Sequence, residues 1–105
     1  MPAWLLLIGA IVMEVIGTTA LKLSDGFTRF WPSVVVVVGY VCALVALGFV
    51  LKRMDVSFAY AIWAGLGTAL VAIVGVVYFG EAMNWMKAGS LVFIVVGLIG
   101  LNLAG

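Results

Sequence analysis

The chain has no histidine and a single cysteine, Cys42. An intrachain disulfide is impossible, and a His/Cys metal site is excluded within one chain. Charge is scarce: five basic and four acidic residues among 105, for a net charge of +1. So small a charge implies no polyanionic partner and no nucleic-acid surface. There is no phosphate loop and no nucleophile motif, and nothing here suggests an enzyme. Proline is also rare, with two residues, so long helices go uninterrupted.

What is abundant is apolar. Hydrophobic residues make up 68% of the chain, and mean hydropathy is +1.42. A soluble domain of this size needs a charged exterior that these residues do not supply. The fold class expected is an all-α integral membrane protein with one transmembrane domain, 1–105. Four stretches free of charge, one residue aside, are each about long enough to span a bilayer: Met1–Leu21, Phe30–Leu51, Val56–Gly80 and Ala88–Gly105. They predict helices over 3–21, 31–51, 56–79 and 87–104. Alternating polarity of the kind a membrane β-strand needs is not seen. The N-terminus lacks the basic start of a signal peptide, so the first segment is expected to stay in the protein.

The residue set aside is Glu14. Its stretch is roughly 31 Å long as a helix, so Glu14 lies well below the membrane surface. Placing a carboxylate there costs at least ~2.5–3.5 kcal/mol, and such residues usually face a cavity and bind protons or ions. Residues three and four apart share a helix face, which puts Ala10, Gly17 and Thr18 beside Glu14. Their small size predicts a groove next to the carboxylate, with Thr18 offering a hydroxyl. Close helix packing around a neutral Glu14 is the rival reading.

Tyr40, Tyr60 and Trp63 lie inside the second and third segments rather than at their ends. Aromatic faces attract organic cations. A buried carboxylate with aromatic walls suits a lipophilic cation. Trp4, Trp31 and Trp85 fit interfacial anchors. Gly65 and Gly67 weaken the third helix and form a candidate hinge, or else a close-packing site. The remaining charges read as structural. Lys22, Asp25 and Arg29 flank a turn at Asp25-Gly26, and Pro32 suits a helix first turn. Asp55 is a candidate N-cap, and Gly80 ends the third helix. Glu81 is expected in solvent or headgroups, and Cys42 as a small packing residue.

Four spans place Lys52 and Arg53 on one side and Lys22, Arg29 and Lys87 on the other. That near-balance leaves orientation weakly set, which permits insertion both ways round and an antiparallel dimer. Four helices alone are expected to form a solid bundle with no chamber, so a drug-sized site calls for two copies. The small residues Gly89, Ser90, Gly97 and Gly100 mark the fourth helix as the assembly face.

Taken together, Ala10-Ile11 with Glu14 to Thr19, Lys22, Gly26 to Arg29, Trp31-Pro32-Ser33 and Tyr40 resemble the small multidrug resistance transporters. So do Ala59-Tyr60-Ala61-Ile62-Trp63, Gly65-x-Gly67 and Asn102-Leu103. The resemblance spans essentially the whole chain. It implies a four-helix subunit in an antiparallel, dual-topology homodimer of the bacterial plasma membrane, exchanging cations for protons at Glu14. No cofactor is implied beyond the proton as coupling ion. It implies substrate contacts at Tyr40, Tyr60, Trp63, Thr18, Gly17 and Ala10, a hinge at Gly65 and Gly67, and a dimer interface at Ser90, Leu91, Ile94 and Gly97. Guanidinium exporters of the family carry tryptophan where this chain has Gly17, so the resemblance is to the branch exporting aromatic and quaternary ammonium cations. Export of guanidinium or polyamines is the alternative, and a non-transport membrane assembly protein a more distant one.

Overall fold

The uninterrupted apolar runs fold as four helices in a computed structural model that describes residues 2–104. They are α1 (Ala3–Leu23), α2 (Phe30–Val50), α3 (Val56–Val77) and α4 (Trp85–Ala104). All four are long and apolar enough to cross a membrane. The two ends of the expected domain 1–105 lie outside the described residues.

Local chemistry sets the helix ends. Pro32 occupies the first turn of α2, where its missing N–H deprives no helical bond. Between α1 and α2 the chain reverses through three residues with positive φ: Asp25, Gly26 and Phe27. Ser24, fully buried, organises that turn. Its Oγ donates to the Leu21 carbonyl at 2.7 Å and accepts from the Phe27 N–H at 3.0 Å. Asp55 stands at the N-cap position of α3, but its side chain makes no capping bond. The side-chain cap expected there is found instead on α4, where Asn84 Oδ1 accepts from the Lys87 N–H at 2.8 Å. This cap starts α4 at Trp85, two residues before the expected 87. Helix α3 ends at Val77, two residues short of the expected 79, and Gly80 follows with a φ of +69°.

The closest approach is between α1 and α2. A Cβ on Gly39 would lie 2.9 Å from the Met13 carbonyl oxygen and 3.3 Å from Gly17 Cα. Only glycine lets two backbones meet this closely, as small residues do at membrane helix crossings. Helix α1 also packs against α3, and α3 carries α4. Leu7, Ile11, Val15, Val50 and Ala59 form the core, joined by Ile62, Trp63 and Leu66. This core is centred toward the side of the membrane that holds the 52–55 loop.

The expected solid bundle is not what forms. The molecule is a slab, 43 × 36 × 18 Å, and α4 has no buried residue. In lipid, apolar side chains gain little by leaving hydrocarbon for one another, so nothing drives α4 to close over the others. Cys42 likewise faces outward instead of packing inside.

Candidate functional site

Glu14 stands halfway along α1, half-buried. One turn on, Thr18 Oγ1 donates to Glu14 Oε1 at 2.7 Å. The Tyr40 hydroxyl of α2 lies 2.8 Å from the same Thr18 oxygen. A threonine has one hydroxyl hydrogen. With that hydrogen on Glu14, the Tyr40 O–H must donate to Thr18. The carboxylate is thereby tied through two hydroxyls to the neighbouring helix.

Tyr40 reaches Thr18 because Gly17 has no side chain. A Cβ there would sit 2.8 Å from Cδ1 and Cε1 of the Tyr40 ring. Gly17 is therefore buried in the α1–α2 crossing, and Ala10 is buried at 1% exposure. Neither is an open wall beside the carboxylate, as the shared helix face had suggested. At Gly17 the reason is that the Tyr40 ring of α2 fills the space the missing side chain leaves.

The open space lies on the other flank of Glu14, between α1 and α3. A cavity of about 550 Å³ is lined there by Glu14, Thr18, Trp63, Gly67 and Thr68, among others. Gly67 faces the carboxylate, and a Cβ on it would lie 3.7 Å from Glu14 Oε2. Gly65 points the other way, where a Cβ would press on the Leu98 side chain at 2.8 Å. The two glycines of the candidate hinge thus serve different surfaces of an unbroken helix. Tyr60 is 67% exposed and does not line the cavity. It lies nearly a turn before Trp63, toward the core end of α3, on the outside of the protomer.

On α4, Leu91 and Ile94 are half-buried, in line with Leu98 toward α3. Ser90 and Gly97 are exposed, and a Cβ on Gly89, Gly97 or Gly100 would meet nothing within 4 Å. The dimer-interface residues expected from the sequence therefore divide between two faces of the helix.

Sequence reasoning missed the cavity mouth. Lys22, Phe79, Glu81 and Lys87 all line it. Lys22 was legible, since Glu14, Thr18 and Lys22 recur at four-residue spacing on one helix stripe. Glu81 was not. Glu81 is exposed, as expected, but its backbone N–H bonds the Gly75 carbonyl at 2.9 Å, folding the loop back so that its carboxylate lies against Gly75.

A carboxylate, an indole and hydroxyls around a cavity of this size can hold an organic cation or a proton. The same chain is similar along its length to known membrane exporters. The family model for the Small Multidrug Resistance protein matches residues 2–96. Multidrug resistance protein EbrB of Bacillus subtilis is 50% identical over 93 residues, covering 89% of this chain and 80% of that protein. The guanidinium exporter of Escherichia coli strain K12 is 39% identical over 102 residues, 97% of each chain. The nicotine metabolites export pump subunit NepA of Paenarthrobacter nicotinovorans is 43% identical over 100 residues, 95% of this chain and 86% of that one. This chain belongs to the Small Multidrug Resistance family, as a multi-pass membrane efflux transporter and not an enzyme.

Proposed function

We propose that the protein exports lipophilic aromatic and quaternary ammonium cations from bacteria in exchange for protons, with both competing for Glu14. The observation that carries this reading is the setting of Glu14: half-buried, held by Thr18 and open to a cavity that Trp63 lines. A proton and an organic cation both bind through the carboxylate oxygens of Glu14. Only one can occupy the carboxylate. Competition for one site couples the two fluxes when the empty, ionised site moves reluctantly between faces.

The working unit is an antiparallel homodimer in the bacterial plasma membrane. Three features support it. The loop charges are nearly balanced across the membrane. The Glu14 cavity, walled by α1 and α3, is only partly enclosed within one protomer. Tyr60 is largely exposed in one protomer, and a Cβ on the glycines of α4 would meet nothing within 4 Å. A second copy would cover these surfaces and bring Tyr60 to a bound cation. Alternating access then proceeds by rearrangement at Gly65 and Gly67.

Gly17 supports the bulky-cation branch by resemblance, since the tryptophan that guanidinium exporters carry at this position would need the space the Tyr40 ring occupies here. Guanidinium export is the second reading, favoured by the likeness to exporters of that name along 97% of both chains.

The test is proton-driven transport in vesicles of purified protein. Tetraphenylphosphonium, a benzalkonium-type ammonium and guanidinium are compared in wild type and Glu14→Gln. Coupled movement of the bulky cations, lost in Glu14→Gln and weakened in Glu14→Asp, is expected. Proton-driven uptake by the Gln variant would sink the mechanism. Transport of guanidinium alone would favour the second reading.

A further inference from the structure

Helix α3 presents two glycines to the cavity, Gly67 and Gly75, and a carboxylate lies against each. Glu14 Oε2 faces Gly67, 3.7 Å from where a Cβ would be. The Glu81 carboxylate lies so close to Gly75 that a Cβ would overlap it, with Cδ at 2.8 Å and Oε2 at 3.1 Å. The two glycines are eight residues apart on one stripe of the helix. Eight residues rise about 12 Å, which is the spacing of two cavity carboxylates along a common wall, one deep and one at the mouth.

The mouth already holds a cation on an aromatic face. Lys22 Nζ stands over the Phe79 ring, 5.8 Å from its centroid. Glu81 and Phe79 line the same rim. The other lysine of the rim, Lys87, donates from Nζ to the Ala82 carbonyl at 2.8 Å. Lys22 is thus a tethered occupant, on a flexible stem, of a rim that a ring face and a carboxylate both line. A ligand ammonium can displace it into water at small cost, since exposed contacts of this kind are weak.

We infer that Glu81 and Phe79 form a second cation station at the cavity mouth, so that the site takes linear bis-cations whose charges match the Glu14–Glu81 spacing. The inference rests on the reading of Glu14 as the deep cation site. One ammonium lies at Glu14 beside Trp63. The other displaces Lys22 from Phe79 and faces Glu81. The connecting chain follows Val71, which lies between the two glycines and lines the cavity.

Binding is measured by titration calorimetry on the full-length protein in lipid nanodiscs, at a pH where Glu14 variants and wild type can be compared. The probes are α,ω-bis(trimethylammonium) alkanes of graded length. Their partners are single-charge analogues in which a neutral tert-butyl group replaces one ammonium. Affinity of the bis-cations is expected to peak near a chain of about eight methylenes, whose extended length matches the about 12 Å rise. Glu81→Gln should weaken the matched bis-cation about two- to fivefold and leave the single-charge analogue unchanged. Lys22→Gln should strengthen the bis-cation by a similar factor by emptying the station. A flat length series, or equal loss of both probes in Glu81→Gln, would overturn the second station while leaving Glu14 as the deep site. Failure of wild type to bind even the single-charge analogues would overturn the deep site and the station with it.

Discussion

The Tyr40 ring lies on Gly17, and the hydroxyl at its end lies 2.8 Å from Thr18 Oγ1. One residue without a side chain therefore decides whether the hydroxyl chain to Glu14 exists. Gly17→Ala places a Cβ at 2.8 Å from two ring carbons, so the ring must shift. Crowding of this kind costs about 1–3 kcal/mol. The expected result is lower thermal stability in detergent and a change in cation preference, and Gly17→Trp should be more severe in both.

Gly39 is tighter still, because its neighbour is backbone. Gly39→Ala would press on the Met13 carbonyl at 2.9 Å, which no rotamer change relieves. It is expected to destabilise by about 1–3 kcal/mol. Gly48→Ala, with nothing within 4 Å, is the control and should be neutral. Unfolding of the purified variants in mixed micelles separates the two.

Thr18 bonds the carboxylate, and the Tyr40 hydroxyl bonds Thr18. A hydrogen bond to a charged group contributes about 1.5–3 kcal/mol, and one between neutral hydroxyls about 0.5–1.5 kcal/mol. Thr18→Ala should therefore impair proton-coupled transport more than Tyr40→Phe, and Thr18→Ser should restore it. Initial rates in vesicles give the order, and equal effects would contradict it.

The turn between α1 and α2 depends on Ser24. Its hydroxyl makes two bonds inside a fully buried site, and three positive-φ residues follow. Ser24→Ala leaves the Phe27 N–H unpaired, at a cost of about 1–3 kcal/mol. A reduced unfolding temperature with normal membrane insertion is expected.

Two helix starts make an internal comparison. Asn84 caps α4 through Oδ1, whereas Asp55 makes no capping bond on α3. Asn84→Ala should cost about 0.5–2 kcal/mol and Asp55→Ala close to nothing. Hydrogen exchange at the first turns of α3 and α4 reads each one locally.

The four spans were legible because hydrocarbon demands long apolar helices, and Glu14 was legible because it breaks that rule. Thr18 followed by helix spacing, and Trp63 by its depth in an apolar span of a chain that also buries a carboxylate. Tyr60 did not end up in the cavity, and Gly17 ended in a crossing, because spacing says which residues share a stripe but not which neighbour the stripe meets. Glu81 was beyond reach for another reason. Its place depends on a loop folding back onto Gly75, a contact between residues whose pairing leaves no periodic trace. The slab was hidden too, since apolar composition is the same whether a surface meets protein or lipid.

Helix α4 contributes no buried residue, and its outward glycines meet nothing within the protomer. Intrachain packing therefore leaves room for a Cβ at Gly89, Gly97 and Gly100. When each is changed to alanine and scored by growth under a toxic cation, intolerance reports a demand made by something outside the chain.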